Sequence, residues 1–445
     1  MLALSFGHDA GRGMPRARSA CNPIWPMGEN PGMKRRSLLM GAAALAATTG
    51  RAHAADDVVI GVVYPLTGNG AQVGLDAKVA YEVASEIING SHAPLPMLMG
   101  AGGGLGKLGG AKIRLVFADS QNDPQKARAE TERLITQDRA VAIVGSYTSA
   151  TPATISQVTE RYEVPYVSAD NSSPSLNQRG LKWFFRTSPH DEMFTAAMFA
   201  FFKDMAEKTG KPVKSVALFY EDSIFGTDSS NVQRKLALAA GVGVAADIRY
   251  RAASPSLAAE AQRLKSANAD VLMPSSYTSD AILILRAMNE IGYRPKAIMA
   301  QAAGFQEQGF LTGAGALAEG VLSRSSFALD AARTRPAIEP VNALYKARNN
   351  KDMNDNTSRE ITALTVLADA INRAGSTKPE DIRVALKATD VAGVQTIMPW
   401  KGVKFDETGQ NTEANPVIQQ VSGGIYRTVW PFDLAARETV WGVGT

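Results

Sequence analysis

The chain has 445 residues, 45% of them hydrophobic and 20% charged, with a formal net charge of +4 and a pI near 9.0. This is globular composition, long enough for two or three domains and too apolar for a disordered chain. The basic excess sits at the start: seven of the 47 Lys and Arg but only two of the 43 Asp and Glu lie in residues 1–54, which leaves 40 against 41 in the body. A body without net positive charge lacks the electrostatic footprint of a nucleic-acid partner, and none is expected.

In chain order, residues 1–54 read as a leader. Met33 precedes Lys34, Arg35 and Arg36, an apolar run follows from Leu38 to Ala47, and Ala52-His53-Ala54 has the small-x-small form of a cleavage site. Together these make a secretory signal peptide, too short in its apolar part to span a membrane. Translation is expected to begin at Met33, with residues 1–32 an upstream extension. Arg35 and Arg36 before Ser-Leu-Leu resemble a twin-arginine signal, although a Sec signal also opens on basic residues, so both routes stay open. The only cysteine is Cys21. The exported body would then have no disulfide, no thiol nucleophile and no cysteine for lipid attachment, which makes a periplasmic protein the expectation.

Val58 to Tyr64 is the continuous apolar run of a buried parallel strand, and Ala71 to Ile88 has helical periodicity after a Gly-rich turn. Thr67 and Gln72 fall at that strand's end. His92 to Gly110 is Pro- and Gly-rich and is expected to be a mobile surface loop. Within it Gly104-Leu-Gly106-Lys-Leu-Gly109 matches G-x-G-x-x-G, but Pro-Leu-Pro precedes it and a strand, Ile113 to Ala118, follows. A dinucleotide site needs the opposite order, since helix amides hold the pyrophosphate. A P-loop fails as well, with Ala101 in place of glycine and Leu108 in place of Ser or Thr. No cofactor is expected.

A helix over Gln125 to Gln137 leads to the most informative stretch, Val141 to Ser173. Two β-branched runs, Val141 to Val144 and Val164 to Val167, each end in small polar residues, with a helix between them. Such a βαβ unit brings both loops to one edge of a parallel sheet, so Ser146, Thr148 and Ser149 would stand beside Asn171, Ser172 and Ser173 around one crevice. Any one of these residues could equally be a helix cap; six in two neighbouring loops favour a small-molecule site. A Phe- and Met-rich core helix follows Ser188-Pro-His190. The alternation then restarts with strands at Val213 to Tyr220, Gly243 to Tyr250, Val271 to Pro274 and Ala297 to Ala300, separated by helices over Ser229 to Ala240, Leu257 to Ala267 and Asp280 to Gly292. Two runs of βα units predict two similar lobes with a ligand between them. Helices over Ile338 to Arg348, Arg359 to Ala374 and Lys378 to Lys387 follow, then short strands at Val403 to Phe405, Val417 to Val421 and Ile425 to Val429.

Catalytic chemistry is poorly provided for. The body has two histidines, His92 and His190, far apart in sequence and in no metal-ligand spacing. No metal site, Cys/His pair or G-x-S-x-G elbow is expected, and the chain does not read as an enzyme.

The signal peptide followed by VVIGVVYPLTGNGAQVG, AIVGSYTSATPATISQVTERYEVPYVSADNSSPSLNQRG, VALFYEDSIFGTD, ADVLMPSSYTSDAILILRAMNEIGY and AEGVLSRSSF resembles the periplasmic binding proteins of branched-chain amino-acid (Leu/Ile/Val-type) ABC importers. The resemblance covers nearly all of the chain after Ala55. It implies the type I periplasmic binding fold, an α/β architecture of two Rossmann-like lobes with parallel-sheet cores. Residues 55–187 and 326–398 would form lobe 1, and 188–325 and 399–445 lobe 2. Three hinge crossings would fall near Arg186 to Pro189, Leu322 to Phe327 and Met398 to Phe405.

The resemblance also implies that Ser149, with Asn171 and Ser172 of the next loop, holds the ligand's carboxylate, and that Tyr277 covers it from lobe 2. Thr148, Gln72 and Gln301 join this expected ligand-binding set. The family's acid for the ligand ammonium would fall at Ala302 or Ala303, where this chain has none. Either Asp170, Glu221 or Asp222 substitutes, or the ligand is not an ordinary α-amino acid, and the second reading is preferred. The function expected is capture of a small polar solute (amino acid, amide or organic acid) and its delivery to an ABC permease and ATPase by a monomeric protein. A ligand sensor of the same fold, acting on a receptor or regulator, is the alternative.

Overall fold

The computed structural model describes residues 56–68 and 70–443. The leader, with Cys21, Met33, Arg35 and Arg36, lies outside them. In chain order the first half runs β1 (Val58–Tyr64), α1 (Ala71–Asn89), β2 (Ile113–Asp119), α2 (Pro124–Thr136), β3 (Ala142–Gly145), α3 (Ala150–Tyr162), β4 (Tyr166–Ser168) and β5 (Phe184–Arg186). The five strands form one sheet in the order β2-β1-β3-β4-β5, and every pairing is parallel.

The second half gives α4 (Asp191–Thr209), β6 (Ser215–Glu221), α5 (Ile224–Ala239), β7 (Gly243–Tyr250), α6 (Ala258–Ala267), β8 (Val271–Ser275), α7 (Thr278–Glu290), β9 (Ala297–Ala300), α8 (Gln308–Ala314) and β10 (Leu322–Ser325). It continues through α9 (Ile338–Asn349), α10 (Asp355–Ala374), α11 (Pro379–Lys387), β11 (Asp390–Ala392), β12 (Gly402–Lys404), β13 (Val417–Ser422) and β14 (Ile425–Trp430). The larger sheet, β14-β13-β10-β9-β8-β6-β7, repeats the first sheet's order across its five parallel strands. It ends in an antiparallel pair joined by Gly423 and Gly424, both with positive φ.

Period-two side-chain alternation explains why each sheet is covered on both faces. Ile60, Val62 and Tyr64 of β1 pack into a core shared with α1, α9 and α10. Val63 points the other way, with Ile143 and Tyr166, onto Leu134 of α2 and Ile155 of α3. The second sheet divides likewise, with Ala217 and Phe219 toward α6, α7 and α8, and Val216 and Leu218 toward the Phe201 face of α4. Each fully buried aliphatic side chain contributes roughly 1.5–3 kcal/mol relative to exposure, so these alternating runs hold the layers together.

Three crossings connect the sheets. The first runs from Arg186 to Asp191 and the second follows Ser325, with Phe327 already in the first core. The third lies at the far end of the expected Met398 to Phe405 stretch, past the lobe boundary expected at residue 399. β12 pairs with β11, and Trp400 and Val403 are buried in the first core, so the chain returns to the second sheet only after Lys404. The burial of Trp400 decides this, and strand periodicity carries no information about it. The 92–110 segment is also no free loop. Leu105 is buried, and the Leu98 N–H donates to the Gln395 carbonyl at 2.7 Å, which anchors the segment on the first core.

Candidate functional site

Strand order 2-1-3-4-5 leaves a crevice at the carboxyl ends of the strands, and here the crevices of two sheets face one another. From the first sheet, Tyr147 and Ser149 follow β3, and Asp170, Asn171 and Ser172 follow β4; Asn356 and Arg359 reach in from the first turns of α10. From the second come Phe225 of α5, Tyr277 after β8, Ala303 after β9 and Arg324 of β10. Between them is a cavity of about 20 Å³, close to the smallest that holds a single water.

Ser149 is the N-cap of α3, yet its hydroxyl makes no capping bond, which leaves it for other use. Asn171 Nδ2 donates to Ser168 Oγ. The loop carrying these groups is pinned from below by Arg186, whose Nη1 donates to the Ser173 carbonyl at 2.8 Å and whose Nε donates to Gln410 of the third crossing at 2.7 Å. The Asp191 N–H donates to the Ser172 carbonyl at 2.8 Å, tying the same loop to the start of α4.

Tyr277 is positioned by backbone packing. A Cβ on Gly304 would come within 2.2 Å of the Thr278 nitrogen and 2.3 Å of the Tyr277 carbonyl carbon. Only glycine lets the turn at Ala303–Gln306 lie flush against the residue that carries the ring. That ring lies 5.3 Å from Tyr147 of the opposing loop and 5.3 Å from Phe225. Burial pushes the Tyr277 phenol well up; the negative charges of Glu221 and Asp170 push the same way, and the Ser149 amide opposes them.

A buried ion network frames the cavity. Arg359 lies 3.0 Å from Asp170 Oδ1 and 2.6 Å from Asp355, and Arg324 lies 3.4 Å from Asp355. The Arg324 guanidinium stacks 3.5 Å above the Phe194 ring. Burial pushes Asp170 up to about 6 against the pull of Arg359. Burial would raise Asp355 as well, but Arg359, Arg324 and bonds from Ser326 outweigh it and hold that carboxyl below its usual range. Burial, then the negative charge of Asp170, pushes Glu307 up to about 8.

Of the residues expected to bind ligand, Ser149, Asn171, Ser172 and Tyr277 line the cavity. Three others are not among its lining residues. Thr148 Oγ1 lies 3.4 Å from Thr151 Oγ1 in the first turn of α3. Gln72 is exposed, and its amide donates to Asp76 one turn along α1 at 2.9 Å, because helical spacing puts a partner within reach. Gln301 is fully buried and donates to Asp191 at 2.8 Å inside the second lobe.

Arg324, Arg359 and Asn356 were missed by sequence reasoning. The helix predicted from Arg359 begins a turn earlier, at Asp355, where Asn354 and Thr357 form a reciprocal capping box; an Asn-x-x-Thr pattern there was the available signal. At the expected acid position Ala302 and Ala303 have φ of 52° and 47°, a strained turn of the kind that clusters at functional sites. Of the three candidate substitutes, Asp170 lines the cavity, Glu221 is buried and accepts from Ser223, and Asp222 is exposed and accepts from the Ala252 amide at 2.9 Å. Among the described residues no cluster of His, Cys, Asp and Glu suits a metal ion.

A wider groove of about 610 Å³ is lined in part by Asp355, which also belongs to the ion network. Its Lys351 is paired with Asp76 at 2.9 Å and its Lys346 with Asp352 at 3.0 Å, so much of its charge is neutralised internally.

Residues 57–424 match the family model described as periplasmic binding protein. The chain belongs to that family. Leu/Ile/Val-binding protein homolog 8 of Brucella abortus (strain 2308) is 31% identical over 413 residues, spanning 91% of this chain and 98% of that one. A leucine binding protein, LivK, from Thermotoga maritima superposes with a TM-score of 0.71 at 23% identity, covering 83% of this chain and 97% of that one. A solute binding protein of an ABC transporter from Rhodopseudomonas palustris BisB5, in complex with 3,4-dihydroxy benzoic acid, superposes with a TM-score of 0.68 at 18% identity, covering 83% and 95%. The fold is the type I periplasmic binding fold, and this periplasmic binding protein is a ligand-binding protein, of a family that is not enzymatic.

Proposed function

We propose that the protein captures a small polar solute between its two lobes and hands it to the permease of an ABC importer. The carrying observation is that polar loops from the carboxyl ends of both sheets converge on one small cavity. Ser149, Asn171 and Ser172 are the contacts from lobe 1, and Tyr277 is the covering contact from lobe 2. A space of about 20 Å³ is far below the volume of an amino acid, so a solute enters only as the lobes part. Lobe 1 consists of the first sheet with α9, α10, α11, β11 and β12, and lobe 2 of the second sheet with its helices; the crossings near Arg186, Ser325 and the segment after Lys404 act as the hinge.

Closure creates a surface assembled from both lobes, which is what a permease can read, and transport then rests on the ligand-dependent balance of open and closed forms. The protein acts as a monomer in the periplasm, reached by the Sec or the twin-arginine route. The relatives' names and the bound aromatic acid of one structural neighbour widen the solute class to amino acids, amides and organic acids. Calorimetry against such a panel, with small-angle scattering on each mixture, tests the proposal. Binding accompanied by a smaller radius of gyration is the expected result; no binding and no compaction across the panel sinks it. Mass spectrometry of material released on denaturing the purified protein identifies the solute.

A further inference from the structure

The lobes are also joined by a carboxyl that is not among the residues lining the solute cavity. Glu307 precedes α8 in the second lobe and is buried, at 5% exposure, yet its side chain makes no capping bond to that helix. It turns across to the first lobe instead. From the start of α10, Asn356 Nδ2 donates to Glu307 Oε1 and Asn354 Nδ2 donates to Oε2 at 3.3 Å. The two amides present their NH2 groups because their oxygens are committed elsewhere. Asn354 Oδ1 accepts the N–H groups of Asn356 and Thr357 at 3.1 and 3.0 Å, and Asn356 Oδ1 accepts from Arg359 at 2.6 Å. A carboxyl, which accepts at both oxygens, is the complement of two such donors. Asn356 also lines the solute cavity, so one side chain serves both places.

Glu307 faces Asp170 of the loop after β4, Asp76 of α1, and Asp355 and Arg359 of α10. The Tyr426 hydroxyl of β14 donates to its carbonyl at 3.5 Å, and the phenols of Tyr147 and Tyr345 feel its charge. Lys351 is already paired with Asp76 and Arg324 with Asp355, while Glu307 accepts from neutral amides. An ionised carboxylate buried on such terms is costly. Gln306 and Gln308 on either side of it, with Asn354, line the wide groove, so water reaches the carboxyl once the lobes part. Resting on the solute-capture reading above, we infer that Glu307 is a proton-loaded latch: its carboxyl joins the lobes through Asn354 and Asn356 in the closed form only, and closing takes a proton from solvent onto it. The protonated carboxyl keeps acceptor capacity for the amides, and opening returns the proton. Burial, then Asp170, holds the closed-form carboxyl up to about 8, whereas a solvated one titrates in the ordinary glutamate range. Between those limits the closed form holds a proton that the open form has released, so the closed fraction falls as pH rises.

Titration calorimetry with L-leucine, benzamide and 3,4-dihydroxybenzoate, in buffers of different ionisation enthalpy, reads affinity and proton exchange together. Asp170 and Glu221 are held near about 6 and about 7, which leaves the interval from pH 7 to pH 8 chiefly to Glu307. Across it affinity should fall about fivefold, with close to one proton taken up by Glu307 per solute bound near pH 7. In Glu307→Gln, which keeps the shape and cannot ionise, affinity should stay within about twofold and the uptake should drop by about that one proton. Thermal melts check that the variant folds. A second measurement needs no solute. With Cys21→Ser removing the only native thiol, spin labels on Leu75→Cys of α1 and Leu238→Cys of α5, both exposed, report lobe separation, and the closed fraction should fall over the same interval unless Glu307 is Gln. An affinity or closed fraction that ignores pH, or that responds equally in Glu307→Gln, overturns the latch and leaves solute capture intact. If none of the three probes binds, the labels decide, and a single lobe separation at every pH overturns the latch; capture itself stands or falls on the wider panel.

Discussion

The ring of Tyr277, on the second lobe, meets the ring of Tyr147, on the first, at a centroid distance of 5.3 Å and an interplanar angle of 53°. The lobes therefore touch through two aromatic faces directly over the polar loops. Such pairs contribute roughly 0.5–1.5 kcal/mol each beyond the area they bury, and Tyr277 makes a second one with Phe225.

Replacing Tyr277 by Ala removes both contacts, and affinity for the solute should fall on the order of tenfold or more. Tyr277→Phe keeps the rings and should retain most of it. Calorimetry on the pair separates ring packing from the phenol's hydrogen bonding, and equal losses for both variants would assign the effect to the hydroxyl.

Gly304→Ala should act on the same ring from behind. Its Cβ would clash with backbone at 2.2 Å, and overpacking of this kind costs about 1–3 kcal/mol. A lower urea midpoint together with weaker solute binding is expected; a variant with both unchanged would show that the turn at Ala303–Gln306 does not position Tyr277.

Arg359→Met leaves Asp170 and Asp355 without their shared partner. Breaking a buried ion pair from one side typically costs about 3–5 kcal/mol, and denaturant unfolding should register a loss of that order. The double variant with Asp170→Asn should recover part of it, because one of the two stranded charges is gone.

The pH dependence follows from carboxyls whose folded-state affinity for protons is raised. Glu307 is pushed up to about 8, Glu221 to about 7 and Asp170 to about 6, each chiefly by burial. Between the unfolded value and the folded one the folded state holds a proton that the unfolded state has released. Stability therefore falls as pH rises through that window, by about 1.4 kcal/mol per unit per group. The decline should run from near pH 5 to near pH 8 and then flatten. Glu307→Gln should remove most of the part above pH 7, as read from urea midpoints across the range.

Gln72→Ala is the control for the site's boundary. Its amide bonds Asp76 on its own helix, so solute affinity should stay within about twofold, the size of an exposed helix-surface change. A large loss would bring α1 back into the site.

The layers of this protein were legible because strand and helix periods are local properties. β1, β7 and β9 have the bounds their apolar runs predict, and of the six small polar residues ending β3 and β4, Ser149, Asn171 and Ser172 stand on one cavity while Ser146, Thr148 and Ser173 are not among its lining residues. Resemblance added Tyr277. Sequence could not reveal that Arg324, on β10, and Arg359, one turn into α10, meet through Asp355, since 31 residues of chain separate Arg324 from that carboxylate and neither arginine sits in a motif.

The sequence by itself determined the two βα lobes, the polar loops at their facing ends and the absence of an acid at Ala302 and Ala303. The tertiary structure set the chain of arginines and carboxylates around the cavity, left Gln72, Gln301 and Thr148 outside its lining residues, and kept β12 with the first sheet's core. The physical reason is one of range. Burial patterns repeat every two or 3.6 residues and are written locally, whereas charge pairing in a low-dielectric interior depends on separations of a few ångströms that only the folded chain sets.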